Sequence, residues 1–225
     1  SVEMQLFVYD DAGYEEYKKV SLQRVKKEIE DPLQADDVKW LNIHGLHDVE
    51  LIKEIGEMLL LEPFIVSDIL NVSRRSKMEE LDDILFFSIK SILPGNDNET
   101  IRTEQISFIL KDNLLVSFQE KKSDFFTHIR ERIKTHSGVV RKKRNDYLLY
   151  LLLDAVMENF YISIEFYEDR IEDLMVESKS SDNPEVLVRI EKNRETINYL
   201  KRSILPLRDA LFNLKSVQDD DQFDG

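Results

Sequence analysis

Residues 139–154, VVRKKRNDYLLYLLLD, decide how this chain folds. Four basic residues, Arg141 to Arg144, run into a helix start, and an almost unbroken apolar stretch follows that ends on a carboxylate, Asp154. Downstream, Leu153, Met157, Phe160, Ile164, Tyr167, Ile171 and Leu174 recur at alternating spacings of four and three. That spacing is a heptad-like seam on a helix of about 30 residues. The stretch SKSSDNPE (178–185) breaks it, and Asn183-Pro184 opens a new helix. A second seam follows in Ile197, Leu200, Ile204, Leu207, Leu211 and Leu214, with Pro206 inside it predicting a kink. Two long helices joined by a short polar loop form an antiparallel hairpin.

Upstream of this stretch, strand-like and helix-like segments alternate. Val2–Val8 and Val38–Ile43 read as strands, and Leu22–Glu30 between them has helical spacing that stops before Pro32. His47–Leu60 places Val49, Ile52, Ile55, Met58 and Leu59 on one side of an amphipathic helix. A short helix runs from Pro63 to about Asn71. Ile84–Leu93, Arg102–Lys111 and Leu114–Gln119 are β-branched and aromatic segments separated by PGNDNE and KDN, so they read as an antiparallel meander. Phe125–Lys134 is helical again. The expected organisation is an α/β (α+β) fold: a three-layer α/β/α sandwich with a mixed sheet over residues 1–138, then the long helical hairpin over residues 139–225.

Composition narrows the function. The chain has 225 residues and a formal net charge of −14, which repels nucleic-acid phosphates and attracts cations or basic partners. It has no Cys, so disulfides, thiolate catalysis and Cys-ligated zinc are excluded, and a reducing compartment is expected. No signal peptide is legible, and the apolar runs near Ile84 and Leu148 read as too short to span a bilayer, so these residues are expected to be soluble. The opening on Ser and the ending in DDDQFDG suggest a piece of something longer.

Three groups of residues bear on chemistry. Glu165, Glu168, Asp169, Glu172, Asp173 and Glu177 crowd one helix, relieved by Arg170; they read as a solvated face or as a weak outer-sphere attractor for hydrated divalent cations. The basic cluster, with Arg130, Arg132 and Lys134 nearby, lacks the interleaved aromatics of a nucleic-acid face and is expected to pair with the chain's own acids. His44, His47, His128 and His136 offer no zinc constellation and read as structural or surface residues. No phosphate-binding loop, HExxH or GxSxG motif is present and no nucleophile–base pair stands out, so the chain does not read as an enzyme.

Four segments together carry a resemblance: WLNIHGLHDVELIKEIGEMLLLEPFIVSDILN (40–71), EQISFILKDNLLVSFQEK (104–121), IRERIKTHSGVVRKKRNDYLLYLLLDAV (129–156) and ILPLRDAL (204–211). In this order they resemble the cytoplasmic domain of CorA-type magnesium/cobalt transport proteins over residues 35–215. The resemblance implies a homopentamer held on the cytoplasmic side of the inner membrane by C-terminal helices that this sequence does not contain. It also implies regulatory Mg²⁺, or Co²⁺, between subunits. Asp68, in FIVSDILN, stands where the family places one metal-contacting carboxylate, and Asp154, in LLLDAV, where it places a second. Ser67 stands where many members have Glu, so it is the weaker position; a third partner lies beyond Gly225. Read from residue pattern alone, Asp68 is an ordinary exposed helix acid. The implied function is a Mg²⁺-sensing regulatory domain of a divalent-cation transporter. The competing readings are a same-fold domain of a zinc transporter and a free-standing acidic interaction module.

Overall fold

The computed structural model describes residues 2–72, 76–93, 101–120, 125–180 and 183–223. Seven strands form one mixed sheet: β1 (Glu3–Tyr9), β2 (Tyr14–Tyr17), β3 (Val38–His44), β4 (Lys77–Glu80), β5 (Ile84–Leu93), β6 (Arg102–Lys111) and β7 (Leu114–Gln119). Their order is β2-β1-β3-β7-β6-β5-β4, and β3 with β7 is the parallel pair. The meander β5–β6–β7 stands with the expected bounds and is antiparallel throughout. The turn PGNDNE lies outside the described residues.

Strand alternation sorts side chains onto two faces. Leu6, Val8, Leu41, Ile43, Phe86 and Val116 point to one face, where they pack with Val25 of α1 (Leu22–Glu30), Ile52 and Ile55 of α2 (Val49–Met58), and Ile65 and Ile69 of α3 (Pro63–Leu70). Phe7, Tyr9, Trp40, Phe87, Phe108 and Leu115 point to the other, against α4 (Thr127–Thr135) and the first turns of α5 (Asn145–Ser180). The layers are therefore helices, sheet, helices. Helix α6 (Pro184–Phe223) returns along α5, and Ile197, Leu200, Ile204, Leu207, Leu211 and Leu214 close the hairpin in the expected register.

Some elements differ from the expected ones. β2 and β4 were not foreseen: YEEY and KMEE are short, charged and at the two sheet edges, where charge protects an open strand from mispairing. α5 runs 36 residues, and more than half of its most apolar 18-residue window is buried in the fold, although length and composition alone would let that window cross a membrane. α6 runs as one continuous helix through Pro206, which sits on its exposed face beside the buried Ile204 and Leu207.

α2 and α3 cross closely at Gly56. A Cβ there would lie 2.6 Å from Cγ2 of Val66, whose β-branched side chain has little freedom to yield. Gly56→Ala is therefore expected to cost about 1–3 kcal/mol of stability despite the higher helix propensity of Ala. Chemical denaturation checks this, and adding Val66→Ala should recover most of the loss if the clash is its cause.

Candidate metal-sensing carboxylates on opposite faces of the sheet

Asp68 stands in the last turn of α3, whose final carbonyls need partners outside the helix. Asn71 N–H donates to the Ser67 carbonyl at 2.9 Å, and Gln105 Nε2 donates to the Asp68 carbonyl at 3.2 Å, tying the helix end to β6. The same turn points the Asp68 side chain inward, and it is only 4% exposed. This corrects the pattern reading of an exposed helix acid. The carboxylate is satisfied by charge: Lys77 Nζ of β4 donates to Oδ2 at 2.7 Å. Lys77 also lies 3.3 Å from Glu79 Oε1 and 5.5 Å from the Phe64 ring centre. The hydrogen bond to Asp68 holds its ammonium above the usual lysine range. Lys77 escaped sequence reading because it belongs to an edge strand four residues long. Ser67, one position earlier, is exposed and faces the open α2–α3 groove.

Asp154 lies on α5, exposed, on a turn whose neighbours Leu152, Leu153, Ala155 and Val156 are buried in the opposite layer. Partial burial of the carboxyl pushes its pKa up, Glu158 one turn on adds to this, and His128 and Arg132 oppose it. A raised folded-state pKa means the native state holds the proton more tightly than the unfolded chain. The carboxyl's favourable contribution is then full below the ordinary carboxylate range and is lost as pH rises through the folded-state value. Asp154→Asn should therefore raise the melting temperature slightly at neutral pH, with the gain vanishing in acid. The effect stays small because solvent screens an exposed group. A pH series of melting temperatures checks the sign.

The sheet separates α3 from α5, so one chain does not bring Asp68 and Asp154 together. Among the described residues, no cluster of three or more acids and histidines is arranged to hold a metal ion. The basic cluster is internal in part. Arg141 Nε and Nη2 donate to the carbonyls of Asp10 (2.9 Å) and Asp11 (3.1 Å), and its guanidinium lies over Tyr14. Its partners are thus the carbonyls of acidic residues, not their carboxylates, because the Asp10 side chain closes its own turn onto Gly13 N–H. Lys134 does pair with a carboxylate, Glu16, at 3.2 Å. His136 caps α4 in a left-handed conformation and bonds Asp11 Oδ1 at 2.8 Å.

Strand order, helix layers and the appended hairpin define a class: α/β/α domains that end in a long helical lever. Within it the chain belongs to the CorA-like Mg²⁺ transporter protein family, whose model matches residues 35–225. It is 35% identical over 175 residues to the cobalt/magnesium transport protein CorA of Thermotoga maritima, covering 78% of this chain and 50% of that protein. It is 25% identical over 194 residues to the CorA of Methanocaldococcus jannaschii, covering 82% of this chain and 58% of that protein. The chain thus spans about half the length of the curated relatives it matches. Among solved structures, the complete M. jannaschii CorA magnesium transporter superposes at a TM-score of 0.71 with 20% identity, over 93% of this chain and 62% of that one. The cytoplasmic domain of ZntB from Vibrio parahaemolyticus superposes at 0.60 with 15% identity, over 98% of both chains. The curated relatives are transporters, not enzymes.

Proposed function

We propose that this chain is the Mg²⁺-sensing regulatory domain, on the cytoplasmic side of the inner membrane, of a homopentameric CorA-like transporter for Mg²⁺ and Co²⁺. Residues 1–138 form the sensing sandwich and residues 139–225 the lever toward membrane helices. The observation that carries this reading is the family match over residues 35–225. The ZntB likeness is one of fold and does not choose the cation; the 35% identity to a cobalt/magnesium transport protein favours Mg²⁺ and Co²⁺.

Three features of the chain support a sensing role. Asp68 suits a cation, since its carboxylate already holds one, the ammonium of Lys77 at 2.7 Å in a nearly buried position. Hard divalent cations take six or more oxygens, so Asp68 alone is an incomplete site and calls for oxygens from water or another copy. Asp68 and Asp154 belong to helices on opposite faces of the sheet, which fits contact with two different neighbours of a ring. The hairpin also leaves Tyr161, Ile162, Phe166 and Phe212 exposed, and apolar groups of that size suit further helices or a second copy.

The mechanism follows from charge. Carboxylates that face one another across a subunit boundary repel, and the closed ring is favoured only while that repulsion is neutralised. When Mg²⁺ falls, the repulsion returns at Asp154 and at the part of the Asp68 charge that Lys77 leaves uncompensated, and α5 and α6 carry the displacement toward the pore. Asp68→Asn combined with Asp154→Asn in the full-length protein should abolish Mg²⁺-dependent closure, measured as Mg²⁺ protection from proteolysis together with ion flux. Unchanged closure would refute the assignment.

A further inference from the structure

We propose that Lys77 is a built-in competitor for the cation at Asp68, occupying Oδ2 when metal is scarce and transferring to Glu79 when a divalent cation arrives. This rests on reading Asp68 as a metal-binding carboxylate and adds what sets its affinity. The geometry supplies both resting places. Lys77 Nζ lies 2.7 Å from Asp68 Oδ2 and 3.3 Å from Glu79 Oε1. Strand alternation puts Lys77 and Glu79 on the same side of β4, two residues apart. The two carboxylates differ in exposure: the Asp68 side chain is 4% exposed and that of Glu79 is 37% exposed. An ammonium at Glu79 is therefore the better hydrated of the two, and Phe64, whose ring centre is 5.5 Å from Nζ, offers a further surface along the path.

A divalent cation held at Asp68 would take its carboxylate oxygens as ligands. The oxygen that Lys77 now holds would then face two cations at once. Their mutual repulsion in a poorly hydrated position expels the more weakly held one, the single charge on a flexible stem. Among the described residues β4 pairs with β5 alone, through Lys77↔Ser88 to Glu80↔Leu85, so the stem moves at a sheet edge without disturbing a central ladder. The exchange raises the cation concentration at which Asp68 loads. Lys77 thus acts as a threshold residue, holding the carboxylate closed to low levels of metal.

The test is a Mg²⁺ titration of the full-length protein followed by its melting temperature, a readout independent of transport. Lys77→Gln is expected to lower the Mg²⁺ midpoint about five- to tenfold, the scale of one lost ion-pair competitor. Glu79→Gln, which removes the second resting place, should raise it. Asp68→Asn should abolish the response in every background. If Asp68→Asn abolishes the response but Lys77→Gln and Glu79→Gln leave the midpoint in place, the competitor idea fails and the Asp68 reading stands. If Asp68→Asn changes nothing, the reading fails and the competitor idea with it. Should Lys77→Gln not fold, Glu79→Gln decides: a higher midpoint supports the exchange, and an unmoved one overturns it.

Discussion

Phe126→Ala is expected to remove about 3–5 kcal/mol of stability, the range for deleting a fully buried aromatic ring. Phe126 is 0% exposed at the start of α4, with its ring centre 6.1 Å from that of Trp40 and 6.4 Å from that of Phe108. Its carbonyl accepts the first helical bonds, from Ile129 N–H at 3.1 Å and Arg130 N–H at 3.0 Å, so ring and backbone anchor the same turn. Typical domains are stable by about 5–15 kcal/mol, so this one ring carries a large share. The loss has a local reporter. Trp40 is the single tryptophan of the chain, and Phe126 and the Arg130 guanidinium (5.5 Å away) pack on it from α4. Urea unfolding should show a lower midpoint with an unchanged slope, and native Trp40 emission should shift because its wall is gone. Ile69→Val, in the opposite layer, should cost about 0.5–1.5 kcal/mol and leave the native emission unmoved. A normal midpoint for Phe126→Ala would mean that α4 does not depend on this aromatic cluster.

Legibility in the sequence followed local contrast. The bounds of β5, β6, β7 and α1 coincide with those read from residues, because β-branched runs end at KDN, and helical spacing ends before Pro32. β2 and β4 carry no such contrast; their charge is an edge-strand feature that resembles a loop. The first turns of α5 read as a helix start but show no seam, for another reason. Leu148, Leu149, Leu151, Leu152 and Leu153 are all buried, since the sheet covers one side and the rest of the helical layer the other. A seam becomes visible only from Leu153 onward, where α6 is the main neighbour. This is why a helix of about 30 residues was expected and one of 36 is observed.

The candidate site was legible only in part. Asp68 and Asp154 were named through family resemblance, and their positions on opposite faces follow from the layer order that alternation already implied. The burial of Asp68 was not legible. It depends on Lys77, nine positions on in the next strand, and on Gln105, which sits 37 positions away. Side-chain pairing of this kind is set by sheet order, not by local pattern.

Asn145→Ala is expected to cost about 2–3 kcal/mol and to loosen the joint between sandwich and lever. Asn145 opens α5 at 5% exposure, and its Nδ2 donates to two carbonyls, of Asp112 at 2.9 Å and of Leu114 at 3.0 Å. Those carbonyls flank the tight β6–β7 turn, where Asp112 holds a φ of 50°. One amide group therefore fastens the start of the long helix to the sheet, and Ala leaves both acceptors without this donor. Unpaired buried acceptors cost about 1–3 kcal/mol. For a chain of this size that corresponds to roughly 2–4 °C of melting temperature per kcal/mol. Asn145→Asp should be worse, since it sets a carboxylate against two carbonyl oxygens. Amide exchange should speed up at residues 146–150 while the hairpin pairing near Leu200 keeps its protection, because the bonds removed lie at the sheet end of α5. In the full-length protein the same variant separates sensing from transmission. Asp68 and Lys77 lie on the other face of the sheet, so the Mg²⁺ midpoint for thermal protection should hold while closure weakens. If closure stayed intact despite faster exchange at 146–150, the lever would take its motion from a neighbouring copy instead of from its own sheet.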